Sequence, residues 1–206
     1  METASDNQAA ILDFARRHGP FRPRDVAALG THPQDIQRLC RKGLITRIAR
    51  GLYQLADAEP DPHQSLVEAC ARIPLGVICL LSALRYHGIG TQLPHRVWLA
   101  IPNKAARPRI EYPPLELTYL TDRMHQLGIE ERPVSNSTIR VYSVTKTVVD
   151  CFRFRNKVGL DVAIEALRDV LTRHRHFHVS VGELHQCARQ CRVEKVLTPY
   201  IEATLG

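Results

Sequence analysis

No apolar run in this chain approaches the roughly 20 residues that a membrane-spanning helix needs. The longest, VICLLSAL at 77–84, is short and runs straight into Arg85, so no membrane partner is expected. The opening METASDNQAA is polar and has neither the basic start nor the apolar stretch of a secretory leader. A cytoplasmic location is therefore expected. There the six cysteines, Cys40, Cys70, Cys79, Cys151, Cys187 and Cys191, are expected to remain thiols that fill helices as small apolar groups. Also missing are a Gly-rich phosphate cradle, a paired CxxC knuckle, and the Gly-Ser loop followed by spaced metal-binding acids that a nucleotidyltransferase would need; an enzyme acting on nucleic acid or nucleotides stays as a rival reading. Internal repeats and low-complexity tracts are absent too. Acids are scarce where cations are dense: Asp35 is the only acid between Gln34 and Leu55, against Arg38, Arg41, Lys42, Arg47 and Arg50.

What is present is a folding composition, 206 residues with 44% hydrophobic and 24% charged side chains. A net charge of +7 and a pI near 9.3 point to a polyanionic partner, without separating nucleic acid from an acidic protein or an anionic surface. The length suits a small module joined to a larger one. The expected class is α+β, an N-terminal winged helix-turn-helix at 1–55, a linker at 56–62 rich in proline and acid, and a mixed α/β C-terminal domain at 63–206.

The module is read from spacing. Residues 7–18 carry Ile11, Leu12, Phe14 and Ala15 on one stripe, stopped by Gly19-Pro20. Pro23 suits the first turn of a second helix ending at Gly30. Thr31 with Gln34 three residues on has the pattern of a capping box, and Ile36, Leu39 and Cys40 give a third helix its inward face up to Gly43. LITRI and GLYQL then read as a hairpin turning at Ala49-Arg50, with Gly51 free to take a backbone conformation other residues resist. Beyond the linker, helices are expected at 63–73, 77–87, 145–154, 159–173, 181–191 and 194–204, and strands at 96–102, 115–120 and 139–144.

With Ile36, Leu39 and Cys40 inward, Gln34, Gln37, Arg38 and Arg41 fall on the other side of the third helix. Glutamine pairs with adenine edges and arginine with guanine edges in the major groove, whereas Lys42, Arg47 and Arg50 suit phosphates. In this architecture the third helix enters the major groove and the hairpin tip reaches the neighbouring backbone, with Arg22 and Arg24 placed to clamp the other side. Tyr53 is expected to pack the wing onto the helices. A solvated basic face with no partner is the alternative.

Three stretches, RLCRKGLITRIARGLYQL (38–55), LSALRYHGIGTQLPHRVWLAIP (81–102) and IRVYSVTKTVVDCFR (139–153), resemble the AbiEi-type antitoxins and transcriptional regulators of bacterial type IV toxin-antitoxin systems. The resemblance implies a winged-helix domain that binds inverted repeats of double-stranded DNA in its own promoter. It also implies a C-terminal domain with antitoxin activity against a nucleotidyltransferase-like toxin, without an obligatory complex. A winged-helix factor whose C-terminal domain senses a ligand is the alternative.

The remaining constellations read as structural. RHRHFH (173–178) with His185, Cys187 and Cys191 holds zinc-ligand chemistry at poor spacing. His87 is expected to pack or cap a helix end, and Asp150 to anchor a loop or pair with Lys146. Leu160, Ile164, Leu167 and Leu171 make a helical stripe expected in the core. No catalytic residue, metal or cofactor is expected.

Overall fold

A computed structural model describes residues 2–58, 63–110, 112–134 and 137–206. The chain divides by its contacts into two units. One comprises 1–74 with 132–139, the other 75–131 with 140–206.

The first unit opens with α1 (Glu2–His18), α2 (Pro23–Ala27) and α3 (Pro33–Arg41), followed by an antiparallel hairpin of β1 (Ile45–Ala49) and β2 (Leu52–Leu55). Ile11, Ala15, Phe21, Val26, Ile36, Leu39 and Ile45 form its core, with Leu12, Phe14 and Cys40 partly buried against it; Ile11, Ala15, Ile36 and Leu39 are inward positions that the spacing predicts. Three helices and a wing in this order are the winged helix-turn-helix arrangement. The start of α3 differs from expectation by one residue. His32, not Thr31, caps it, because Pro33 takes the first helical position and the carboxylate of Asp35 accepts the His32 backbone N–H at 3.0 Å. Thr31 turns back and donates its hydroxyl to the Val26 carbonyl at 2.8 Å. At its other end α3 closes on Gly43 (φ +68°), where Gly43 N–H donates to Cys40 O and Leu44 N–H to Leu39 O, the paired bonds of a left-handed cap.

The wing is attached by its backbone. Phe21 and Tyr53 exchange N–H···O bonds of 2.9 Å each, and the Tyr53 ring lies 6.1 Å from Phe21, which itself meets Phe14 edge-on at 6.2 Å. Tyr53 therefore packs the hairpin onto the helices, as expected. The unit continues through α4 (Gln64–Arg72), which buries Leu66, Val67 and Ala69. Grouping α4 and 132–139 with the helices and wing differs from the expected partition at 55 and 63, and 59–62 of the expected linker lie outside the described residues.

The second unit is built on a mixed sheet in the order β5-β4-β3-β7-β6. Its strands are β3 (Val77–Ile78), β4 (Val97–Pro102), β5 (Leu115–Leu120), β6 (Ile129–Val134) and β7 (Ser137–Tyr142), the last two shared with the first unit at their 132–139 ends. β3 runs antiparallel to β4 and parallel to β7, and β4 parallel to β5. The helices are α5 (Leu80–His87), α6 (Asp122–Gln126), α7 (Val144–Arg153), α8 (Arg155–Val158), α9 (Leu160–Thr172), α10 (His174–Phe177), α11 (Val181–Gln190) and α12 (Glu194–Leu205). The helix expected from residue 77 is thus shortened by three residues, because Val77 and Ile78 pair into the sheet and Leu80 takes φ +45°. In α9 the buried face is Val162, Ala163, Ala166, Leu167, Val170 and Leu171, while Leu160 is exposed and Ile164 half-buried. Ser180 and Glu183 form a capping box at the start of α11.

Under the sheet lies a buried ion pair one turn apart on α7. Lys146 donates to Asp150, both side chains are almost wholly excluded from solvent, and the Lys146 ammonium sits 4.4 Å from the centre of the Tyr142 ring. Burial pushes the Asp150 carboxyl above its ordinary range, and Lys146 and Arg153 pull against that shift. Gly128 (φ +68°) lets the chain pass over this helix, since a Cβ there would stand 2.9 Å from Lys146 Cβ. Gly128→Ala is expected to cost about 1–3 kcal/mol through left-handed strain and the clash together, read as a shift in the denaturant midpoint. On the outer edge of the sheet, Lys157 donates to the Leu117 carbonyl of β5 at 2.9 Å, pairs with Glu116 at 2.8 Å and covers the Trp98 ring. No helix among the described residues is long and apolar enough to cross a membrane.

Candidate nucleic-acid interface

Helical geometry puts positions 34, 37, 38 and 41 on one stripe, since they are separated by three, four and seven residues. Gln34, Gln37, Arg38 and Arg41 are all exposed, opposite the buried Ile36 and Leu39. Asp35, the acid of this stretch, is removed from that surface. It is 3% exposed, spent on the α3 cap and touched at 3.5 Å by Arg38 Nη1. From Gln34 to Leu55 the exposed ionic groups are therefore all cationic. The backbone N-cap explains this: an acid at the third helical position is drawn inward by the N–H it accepts.

The hairpin brings the other cations forward. β1 and β2 pair from Ile45↔Leu55 to Ala49↔Leu52, with a bulge between Arg47 and Ala49, and Gly51 (φ +68°) closes the turn beside exposed Arg50. A bulge strengthens local twist and re-aims the strand end. Arg47 lies opposite Tyr53 and is exposed. Lys42 is exposed but already engaged, its ammonium donating to Gln8 of α1 at 2.7 Å. Arg24 is exposed and 3.6 Å from the Asp25 carboxylate.

Arg22 differs from the rest. It is half-buried, its Nη2 is enclosed without a hydrogen-bond partner among the described residues, and burial holds its pKa below the ordinary arginine value, helped by Arg24 and Arg72 and opposed by Asp25. The structure thus brings together the stripe on α3 and the cations of the hairpin in one unit, with Arg22 set apart by its burial.

Sequence reasoning missed three residues of the same unit, Gln54, Gln64 and Glu68. Gln64 Nε2 donates to Gln54 Oε1 of the wing at 2.7 Å and to the buried Glu68 at 3.2 Å. A buried glutamate one turn after a glutamine was the available signal, hidden by the linker that separates them from the wing.

The second unit offers less. Its cavity of about 590 Å³ lies along the exposed side of α9, where carboxylates are already used: Asp169 accepts the Gly90 N–H at 3.0 Å and Glu165 the Thr91 hydroxyl at 2.9 Å. His87 caps the strand end through Tyr142 O at 2.7 Å. Cys187 and Cys191 are buried free thiols in the core, and His185 faces Glu194 at 3.7 Å. Among the described residues no group of three metal-capable side chains gathers.

The fold of this unit is a winged helix-turn-helix with an exposed cationic face. Residues 9–56 match the model of a family described as "Transcriptional regulator, AbiEi antitoxin". The match covers the three helices and the wing, and ends before α4. Among solved structures the chain is similar to the RV2827C protein from Mycobacterium tuberculosis, with a TM-score of 0.60 over 97% of this chain and 77% of that one, at 14% identity. At that identity the likeness speaks for the fold alone. No curated protein matches the sequence.

Proposed function

We propose that the protein is a sequence-specific transcriptional repressor that binds double-stranded DNA at inverted repeats in its own promoter. In this reading it is the autoregulating antitoxin of a type IV pair whose toxin is nucleotidyltransferase-like. One observation carries the DNA reading: Gln34, Gln37, Arg38 and Arg41 stand exposed on one helical stripe, Arg50 stands at the tip of the wing, and the single acid of the stretch is folded away beneath them.

The mechanism is steric. The α3 stripe lies in the major groove, where two amides and two guanidiniums read base edges, while Arg47, Arg50, Lys42, Arg22 and Arg24 serve the phosphates. Occupied promoter DNA is denied to polymerase. No catalysis, metal or cofactor enters, and the protein works in the cytoplasm. The second unit carries the antitoxin activity.

Arg47→Ala or Arg50→Ala is expected to weaken binding to all sequences alike and to lower the slope of log affinity against log salt by about one each, because each removes roughly one phosphate contact. Mobility-shift titrations at several salt concentrations on the chain's own upstream DNA and on an unrelated duplex test this. Equal affinity for the two duplexes would end the sequence-specific reading. A neighbouring gene without nucleotidyltransferase character, together with no protection from such a toxin in a co-expression assay, would remove the antitoxin half. The cavity beside α9 keeps a ligand-sensing factor as the second reading, distinguished by that same neighbouring gene.

A further inference from the structure

A two-stranded hairpin is marginal on its own, so the direction in which its tip points depends on what holds its faces. Successive residues of a strand point to opposite sides. Tyr53 secures one side of β2 against Phe21. Gln54 therefore points to the other, where its side-chain carbonyl accepts from Gln64 Nε2 of α4 at 2.7 Å.

That contact has an imposed orientation. The same Gln64 nitrogen donates to Glu68 Oε1 at 3.2 Å, and Glu68 is 2% exposed with its second oxygen enclosed and unpartnered among the described residues. An ionised carboxylate only accepts, so the amide of Gln64 must turn its nitrogen inward, and Gln54 must then present its oxygen. Burial pushes the Glu68 carboxyl above its ordinary value, with the Gln64 hydrogen bond and the charge of Arg72 opposing. Leaving an acid in such a place is costly unless its acceptor role is used.

We infer that α4 is a working part of the DNA-binding unit, in which Gln64, oriented by the buried Glu68, is the positioning residue that sets the wing and hence Arg50 at its tip. The inference rests on the DNA-binding reading above and extends it beyond residue 56, where the family match ends.

The full chain is compared with Gln64→Met, Glu68→Gln, Arg50→Ala, the double variant of Gln64→Met with Arg50→Ala, and the exchanged pair Gln54→Glu with Gln64→Lys. Two readouts are taken: amide hydrogen exchange at Leu52–Leu55 without DNA, and the salt dependence of binding to the upstream duplex. Gln64→Met should quicken exchange in the hairpin about fivefold or more while leaving α3 unchanged, and lower affinity by about 3- to 10-fold with a salt slope reduced as in Arg50→Ala. In the Arg50→Ala background it should add almost nothing, because both act through one contact. Glu68→Gln, which can present either end of its amide, should give the same changes at smaller size. The exchanged ion pair should restore both readouts.

Unaltered hairpin exchange in Gln64→Met overturns the inference whatever the DNA result, and so does a fully additive loss with Arg50→Ala. A wild-type chain that binds no duplex, with hairpin exchange still quickened by Gln64→Met, overturns the DNA reading and with it the claim that α4 serves DNA binding.

Discussion

Asp150→Ala is expected to lower the stability of the second unit by about 3–5 kcal/mol, the cost of stranding a charge that the interior had paired. Lys146 has nowhere to go. Its ammonium is held between the Tyr142 ring and Asp150, its side chain is 1% exposed, and Gly128 packs directly over its Cβ, so it cannot swing to solvent without moving the β6 entry. Neighbouring Cys79 and Cys151 are buried thiols whose pKa values burial pushes further up, so neither supplies a counter-charge. The comparison that isolates the charge effect is the double change Lys146→Met with Asp150→Leu. It replaces both ions by apolar groups and should recover most of the loss, since a buried pair is worth little more than good packing while a broken one is expensive. Denaturant unfolding followed by circular dichroism measures both. A loss below about 1 kcal/mol in Asp150→Ala would mean that water reaches the site and that the buried pair is not the keystone the packing indicates.

The second large effect belongs to the α3 stripe. Arg38→Ala or Arg41→Ala should each cost about 1–3 kcal/mol in affinity for the promoter site, and should relax the preference for guanine at the base pair each one reads. The mechanism separates them from the wing cations. A bidentate guanidinium loses most against the right base and little against a wrong one, so the ratio of specific to nonspecific affinity falls. Loss of a phosphate contact lowers both together. Arg38 carries one complication, its 3.5 Å approach to Asp35, which is long for a hydrogen bond and releases readily when a base is offered. Binding to the site and to scrambled duplex, titrated in parallel, gives the ratio. An unchanged ratio in both variants would take α3 out of the major groove.

The first unit was legible because its punctuation is local. Gly43 and Gly51 stand where the chain needs φ above zero, Pro23 stands at a helix start, and the apolar spacing of Ile36 and Leu39 orients the stripe without reference to anything distant. The one-residue error at the α3 cap arose because Thr is the stronger capping type, yet Pro33 decides the position and lets a backbone N–H do the work. In the second unit the failures have a common cause. VICLLSAL reads as a helix throughout since its apolar residues suit either period, and only pairing with β4 and β7 draws Val77 and Ile78 into the sheet. IEERPV at 129–134 went unread as a strand, being charged and proline-containing, a composition tolerated at a sheet edge and nowhere inside. The contact of α4 with the wing was invisible for another reason: Gln54, the partner of Gln64, lies across a linker, and no local pattern announces a long-range contact.

Lys157 gives the remaining lesson. β6 defends its own border with charge and proline, but β5, at the opposite border, is LELTYL and would offer an uncluttered row of peptide groups to any passing chain. By lending its ammonium to the Leu117 carbonyl, Lys157 occupies that row from outside the strand. Such a plug blunts an edge that unpaired peptide groups would otherwise leave open to strand addition, and removing it is expected to raise the tendency of the chain to self-associate through β5.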